Sequence, residues 1–309
     1  MKKFFINITT FLIPFIMYVL LVIYIDPYSL IFTGKNKKIN EISLKIAQPL
    51  NYSLYKLSNF SKNPTDVIFL GDSRTDAINT SYFNNLTGKK SSNLAYGGGT
   101  LPEIIESFWY ASKTHNLKEV YIGINFNLYS KQNNMNRVKE SIGLIESPLS
   151  YVFSKYCLKS TFLIIKALIT TQEISNIEKP KLSKADFWKH SLESSANNFY
   201  RIRSYPKEFF DQLTEISKYC KSNQIKLIFF TPPTHIDLQL KVKEFNLVSE
   251  ELKFKNDLSK LGLYYDFDYP NKITKNKNLF GDPFHCNDSI TKIFVNEIVT
   301  AKIKYARTY

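Results

Sequence analysis

Short apolar runs alternate with amphipathic stretches through most of this sequence, in the rhythm of strands followed by helices. Val67–Leu70 predicts a buried strand, introduced by Asp66 and closed by Gly71. Asn93–Ala95 predicts a second, and Val120–Ile124 a third, between Glu119 and Asn125. Ile225–Phe230 follows, ended by Pro232-Pro233, and Leu263–Phe267 is the last. Between them, Leu101–Thr114 places Leu101, Ile104, Ile105 and Phe108 at helical spacing. Pro206 opens another helix carrying Phe209, Phe210, Leu213, Ile216 and Tyr219. Leu240–Leu261 reads as a further helix, and Asn287 is placed to cap a closing one through Ile303. Strands separated by helices imply an α/β class: a mainly parallel sheet covered on both faces, in three α/β/α layers.

Two regions break the rhythm. Phe4 to Ile25 holds 22 residues without a charge, long enough to cross a bilayer core of about 30 Å. Pro14 lies inside it, which a membrane helix tolerates. A cleaved signal peptide is the alternative, since Lys2 and Lys3 make an n-region. The apolar run is longer than the usual ~7–15 residues, however, and Ile25-Asp26-Pro27 offers no small-residue cleavage site. Residues 1–25 are therefore read as an uncleaved single-pass anchor. Lys35, Lys37, Lys38 and Lys45 after the helix outnumber Lys2 and Lys3 before it, so the positive-inside count does not favour an N-terminus-in orientation. The three-residue tail has little to retain, and the expectation is an extracytoplasmic catalytic domain in the cell membrane. Residues 26–63 read as a polar connector with a short helix around Glu41–Leu57, and 64–309 as the catalytic domain. Within that domain, 130–205 reads as a helix-and-loop insertion over the catalytic edge, with Phe162–Ile169 as a packed helix too short to span a membrane. Such an insertion is a natural place for substrate selection.

Composition changes this picture little. Among 309 residues, 44% are hydrophobic and 15% aromatic, which excludes general disorder and permits a substantial core. The net charge of +14, from 41 Lys and Arg against 27 Asp and Glu, would suit an anionic surface or polymer. The lysines are scattered in a chain rich in Lys, Asn and Ile throughout, so the excess reads as compositional, and no nucleic-acid partner is expected. Cys157, Cys220 and Cys286 have no metal-like spacing and form no even-numbered disulfide set. Neither a metal nor an organic cofactor is expected.

The chemistry lies at the ends of the α/β region. Gly71-Asp72-Ser73-Arg74 follows the first strand, and Gly71 allows a tight turn that lifts Ser73 to the carboxyl edge of the sheet, where open α/β sheets place ligands. Asp282-Pro283-Phe284-His285 brings an Asp and a His three residues apart. A serine hydroxyl is a poor nucleophile until a base takes its proton and a third group orients that base. Read alone, a Gly-Asp-Ser is a turn, and the Asp and His are surface polar residues. His115 and His190 read as surface or helix-end residues. His235, after Thr231-Pro232-Pro233-Thr234, follows a strand at the same sheet edge and either lines the site or serves the fold.

Four blocks line up in order: Gly71-Asp72-Ser73, Asn93 through Gly97-Gly98-Gly99-Thr100, Gly123-Ile124-Asn125, and Asp282 with His285. This order and spacing resemble the SGNH (GDSL-type) hydrolase superfamily over roughly residues 64–309, with the insertion unmatched. The resemblance implies a flavodoxin-like three-layer SGNH domain with Ser73 as nucleophile, His285 as base then acid, and Asp282 orienting it. It also implies an oxyanion hole from the backbone N–H groups of Ser73 and Gly98 and the side-chain amide of Asn125. Such preorganised donors matter because losing one typically costs about 10²–10³ in rate. Phe126 stands where many members carry Asp, and Arg74 where Leu often follows the Ser. Arg74 would set a cation beside the nucleophile, and Asp72, Arg74 and His235 are candidate lining residues.

The single anchor with Asp26-Pro27 beyond it, and Phe229-Phe230-Thr231-Pro232-Pro233-Thr234-His235, resemble membrane-tethered SGNH proteins of bacterial cell-surface systems, among them proteins similar to DltD and the alginate acetylation factors. The implied function is a serine O-acyltransferase. It would pass an acetyl or D-alanyl group from an acyl donor to a hydroxyl of teichoic acid or exopolysaccharide, beside a membrane-bound O-acyltransferase. An esterase using the same triad, and a non-catalytic SGNH-fold accessory subunit, are the alternatives.

Overall fold

A computed structural model describes residues 1–31, 36–170 and 183–309. The parts of the expected connector and insertion at 32–35 and 171–182 lie outside the described residues. Among the described residues the chain divides into two compact units, Met1–Lys62 with Arg137–Lys179, and Asn63–Asn136 with Pro180–Tyr309.

The second unit is built on a six-stranded sheet: β1 (Val67–Leu70), β2 (Ser91–Asn93), β3 (Glu119–Gly123), β4 (Lys226–Thr231), β5 (Leu263–Asp266) and β6 (Arg307–Thr308). Their order is β2-β1-β3-β4-β5-β6. The first five are parallel and β6 closes the edge antiparallel to β5. The order of the parallel strands, 2-1-3-4-5, is the flavodoxin-like arrangement, whose ligands lie outside the carboxyl ends of the strands. β1 and β3 are buried along their whole length, as strands covered on both faces must be. On one face Val67, Phe69, Tyr121, Phe230 and Tyr265 pack with Phe83 of the Thr80–Thr87 helix and with Phe294, Val295 and Ile298 of the Asp288–Thr300 helix. The alternate residues Ile68, Leu70, Val120 and Ile122, fully buried, point to the other face. The helices Leu101–Thr114, Lys207–Ser222 and Val248–Leu261 touch β1, β4 and β5 and one another. The three α/β/α layers follow.

The first unit is helical. Lys2–Ile25, Lys37–Leu50 and Tyr52–Lys62 pack with Arg137–Glu146, Pro148–Val152 and Lys155–Thr170. Val22, Tyr28, Ala47, Leu54, Tyr151 and Cys157 form one buried cluster, and Ile25, Ile39, Ile46 and Ile164 another. Asp26 ends the first helix in a left-handed conformation (φ 37°). Its buried carboxylate accepts from the N–H groups of Leu30 and Ile31, both at 2.9 Å, and from the Tyr151 hydroxyl at 2.7 Å.

Two expectations change. Residues 130–205 are not one insertion: Arg137–Thr170 joins the N-terminal helices, while the segment from Ser183 on packs in the α/β unit. The reason is that the Lys37–Leu50 and Lys155–Thr170 helices each carry an apolar face, and burying one against the other satisfies both. The expected helix over 240–261 is two, Ile236–Glu244 and Val248–Leu261, separated at Asn246, whose φ of 57° cannot continue a right-handed helix.

Candidate active site

Ser73 sits where β1 ends. The turn at Gly71 brings the chain so close to its neighbours that a Cβ there would lie 2.3 Å from Thr75 Oγ1 and 2.7 Å from the Gly123 carbonyl oxygen. Glycine is required by that approach and by its φ of 156°. Asp72 then caps a helical turn, Ser73–Asp76, its Oδ1 accepting from the Arg74 N–H at 3.0 Å. As the first residue of that turn, Ser73 has an N–H with no intrahelical acceptor. Asn93, at the end of β2, holds the far end of the turn: its Nδ2 donates to the carbonyls of Thr75, Asp76 and Ile78 at 2.9–3.2 Å.

His285 comes from the loop between β5 and the closing helix, 212 residues away in sequence, and its Nε2 lies 2.7 Å from Ser73 Oγ. Its Nδ1 lies 2.9 and 2.8 Å from the two oxygens of Asp282. Asp282 Oδ1 also accepts from the backbone N–H groups of Phe284 (2.8 Å) and His285 (3.1 Å), so the carboxylate organises the loop that carries the imidazole. Burial pushes the Asp282 carboxyl up. The hydrogen bond and charge of His285, with the two backbone donors, outweigh that and hold it below its ordinary value. The imidazole side chain is 41% exposed and the carboxylate 14%, so the ring reaches solvent while the carboxylate is shielded.

The second and third blocks reach the same edge. Leu94 and Tyr96 donate backbone N–H groups to Phe69 (2.8 Å) and Gly71 (3.1 Å), which docks the Gly97-Gly98-Gly99 loop on the Ser73 turn. Gly98 has φ 63°, and a Cβ on Gly99 would meet the Gly71 carbonyl at 2.6 Å and Asp72 Cα at 3.1 Å. Leu70 pairs with Ile122 in the β1–β3 register, so Ser73 and Asn125 each stand three residues beyond an aligned pair. Asn125 is buried, and its Nδ2 donates to the Pro232 carbonyl at 2.8 Å with a longer contact of 3.4 Å to Asp268 Oδ2. The amide is thus fixed by one strong bond, leaving its second N–H weakly engaged.

The lining candidates divide. Asp72 and Arg74 form a buried ion pair on the Ser73 turn, with the guanidinium 6.0 Å from the Phe284 ring centroid. Among the described residues Arg74 Nε and Nη1 have no hydrogen-bond partner. His235 is buried and caps the Ile236–Glu244 helix, Nδ1 accepting from the Asp237 N–H at 3.1 Å. Its ring lies edge-on to Trp188 and Phe280, and its backbone N–H donates to Pro283 at 2.9 Å. It braces the loop of His285 and makes no hydrogen bond to the Ser–His–Asp relay among the described residues. Phe126 packs beneath the Arg203 guanidinium, 3.7 Å from its ring centroid, and serves the core. Asp268 escaped the sequence reading. Its Oδ1 accepts from Thr234 N–H (2.9 Å), Thr234 Oγ1 (2.6 Å) and Gln239 Nε2 (2.9 Å). An Asp shortly after an apolar strand was its only signal, and turns carry the same one.

No protein-family model matches the sequence, and no curated protein matches it significantly. Solved structures do align with it. A GDSL-like lipase from Bacteroides thetaiotaomicron shares 12% identity at a TM-score of 0.40, over 82% of this chain and 99% of that one. An acetylxylan esterase from Geobacillus stearothermophilus shares 11% at 0.40, over 80% of this chain and 98% of that one.

Proposed function

We propose that this chain is an SGNH-type serine acyl-transfer enzyme that works through an acyl-Ser73 intermediate. The observation that carries the reading is the continuous relay Ser73 Oγ–His285 Nε2–His285 Nδ1–Asp282, at 2.7 and then 2.8–2.9 Å. In the first half-reaction Ser73 Oγ bonds to the acyl carbon as its proton passes to His285 Nε2. Collapse of the tetrahedral intermediate breaks the bond to the leaving group, which takes that proton. In the second half an acceptor hydroxyl gives its proton to Nε2 and attacks the ester, and Ser73 Oγ recovers a proton as it leaves. The N–H groups of Ser73 and Gly98 serve as oxyanion donors, joined by the Asn125 N–H that exchanges its long 3.4 Å contact with Asp268 for the oxyanion. Asp282 holds Nδ1 protonated and steadies the imidazolium.

The N-terminal helix, 24 residues with no charge from Phe4 to Ile25, tethers the protein to a bilayer. With an extracytoplasmic domain, the acceptor is a hydroxyl of a bacterial cell-surface polymer, teichoic acid or exopolysaccharide. The acyl group is acetyl or D-alanyl, supplied beside a membrane-bound O-acyltransferase. Hydrolysis by the same residues is the second reading, favoured by the 41% exposure of the His285 side chain, which lets water reach the base.

Intact-mass analysis of the full-length protein with p-nitrophenyl acetate and a fluorophosphonate probe tests the reading. Adducts on wild type that vanish in Ser73→Ala and His285→Ala are expected. Absence of both adduct and nitrophenol release from folded wild type would overturn it. Acceptor oligosaccharides that increase nitrophenol release and emerge acylated mark transfer; release with acetate as the sole product marks hydrolysis.

A further inference from the structure

We infer that the Pro148–Val152 and Lys155–Thr170 helices form a lipid-contacting surface that lies in the membrane interface beside the N-terminal helix. The inference rests on the reading that Lys2–Ile25 crosses a bilayer. The N-terminal helix does not enter the helical unit only at its end. Phe15 stacks on Phe153 with ring centroids 5.4 Å apart and planes at 12°, and the Tyr18 hydroxyl donates to the Val152 carbonyl at 2.6 Å. Ten residues separate Phe15 from Ile25, so at ~1.5 Å per residue Phe15 lies about 15 Å back along the helix. The polar layer on each side of a bilayer core is only about 5–8 Å deep. Even with Ile25 at the outer rim of the headgroups, Phe15 stands in hydrocarbon, and Phe153, stacked on it, is held at that depth or close to it.

The surface presented there has the composition such a place requires. Leu149 is 72% exposed, Phe162 67% and Ile169 76%, with Phe153 and Leu158 also exposed. Leu158, Phe162 and Ile169 recur at helical spacing on the outer side of Lys155–Thr170, while Cys157, Ser160, Thr161 and Ile164 are buried on the inner side. The exposed charged residues of the helix are Lys155, Lys159 and Lys166, and it contains no Asp or Glu. A stripe of Leu, Phe and Ile whose own helix carries lysines as its only charges, one of them paired with Glu140 at 3.6 Å, is the pattern of an interfacial helix. Its apolar side chains sink about 5–10 Å while its cations meet anionic headgroups. Lysine stems long enough to reach outward from the apolar stripe remove the cost of burying their charge. Continuity with the membrane helix settles the occupant as lipid, because a surface fixed against Phe15 and Tyr18 meets acyl chains wherever those residues do.

The test uses full-length protein in vesicles of phosphatidylglycerol and phosphatidylcholine, with and without bromine on the acyl chains. Phe162→Trp and Ile169→Trp put a fluorophore on the stripe, and Phe11→Trp puts one on the N-terminal helix. All three positions are exposed, so the substitutions leave packing intact. The native Trp109 and Trp188 belong to the α/β unit and supply the background measured on wild type. Brominated lipid is expected to quench Phe162→Trp and Ile169→Trp beyond wild type, together with Phe11→Trp. Quenching at Phe11→Trp with wild-type emission from both stripe variants refutes the lipid surface and leaves the membrane span standing. Absence of quenching at all three refutes the span itself. Stripe variants that stay unquenched while the protein self-associates through this face assign it to a second copy and also overturn the inference.

Discussion

Replacing Asp282 by Asn isolates what the carboxylate does for the imidazole. Asp282 Oδ1 holds two backbone N–H groups, of Phe284 and His285, at 2.8 and 3.1 Å. An amide keeps those bonds only by leaving its carbonyl oxygen in that place, which puts its NH2 where Oδ2 now lies, 2.8 Å from His285 Nδ1. The carbonyl oxygen stays 2.9 Å from the same nitrogen but already holds both backbone N–H groups, so the nearer NH2 donor decides the tautomer and the ring proton moves to Nε2. There it points at Ser73 Oγ, 2.7 Å away, and the nitrogen that should accept the serine proton already carries one. In Ser-His-Asp hydrolases the wrong tautomer costs about 10⁴ in kcat, or about 5 kcal/mol of transition-state stabilisation. The expected result with p-nitrophenyl acetate is a fall in kcat of that order at nearly constant KM, with fluorophosphonate labelling slowed in parallel and the loop still folded. The same substitution changes the acid limb of stability. A carboxyl held below its ordinary value contributes stability that is fully present above the unfolded pKa of about 3.9 and is lost as pH falls through the folded pKa. The Asn variant lacks that loss. An Asp282→Asn enzyme within about tenfold of wild type in kcat would refute the assigned role of Asp282.

The glycine at 99 and the histidine at 235 give two further predictions. Gly99→Ala drives a Cβ to 2.6 Å from the Gly71 carbonyl, backbone that cannot yield without moving Ser73. The expected cost is about 1–3 kcal/mol in a urea melt, with slowed labelling of Ser73. Gly97→Ala, which meets open space, is expected to leave both near wild type. Burial of His235 holds its imidazole below the ordinary value, against the pull of Asp237 and with the help of Lys277. The unfolded chain therefore binds the proton first. The stability from this site is intact above about pH 6.5 and declines as pH falls from there through the folded pKa. His235→Asn keeps an N-cap acceptor, and its Tm is expected to fall less steeply with acid across that window. An unchanged slope would mean that the ring is not titrating where its burial places it.

The α/β frame was legible because a fully buried strand leaves a run such as Val67-Ile68-Phe69-Leu70 that few other elements produce, and the observed strand has those bounds. The residues of the Ser73–His285–Asp282 relay were legible because each follows a recognisable break in that rhythm. Three features were not. β6 is two residues of Arg and Thr, too short and polar to register as a strand before β5 offers it an edge. The break at Asn246 was masked because apolar positions continue on both sides of it, and a single left-handed residue leaves no mark on periodicity. The pairing of the N-terminal helices with Arg137–Thr170 depends on which amphipathic faces meet, and a sequence shows the faces without their partners.

The segment Pro232-Pro233-Thr234-His235 ties together the loops around the candidate site. It follows β4, and its groups reach three other loops: the Pro232 carbonyl accepts from Asn125, Thr234 donates twice to Asp268, and the His235 N–H donates to Pro283. Asp268 is steadied in turn, because buried Lys255 donates to its carbonyl at 2.8 Å while pairing with the fully buried Asp266 at 2.9 Å. Desolvation raises the Asp266 carboxyl, and the ammonium group opposes that rise. Leaving such a charge unpaired costs about 3–5 kcal/mol, so the Lys255–Asp266 pair tolerates few rearrangements and fixes the end of β5. Through Asp268 and Thr234 that rigidity passes to Pro232 and Pro283, which set the Asn125 amide and the His285 loop. An oxyanion donor and a base contribute only when held in place before the charge develops. The polar groups buried behind the edge supply that constraint, in the one layer of the fold where apolar side chains cannot.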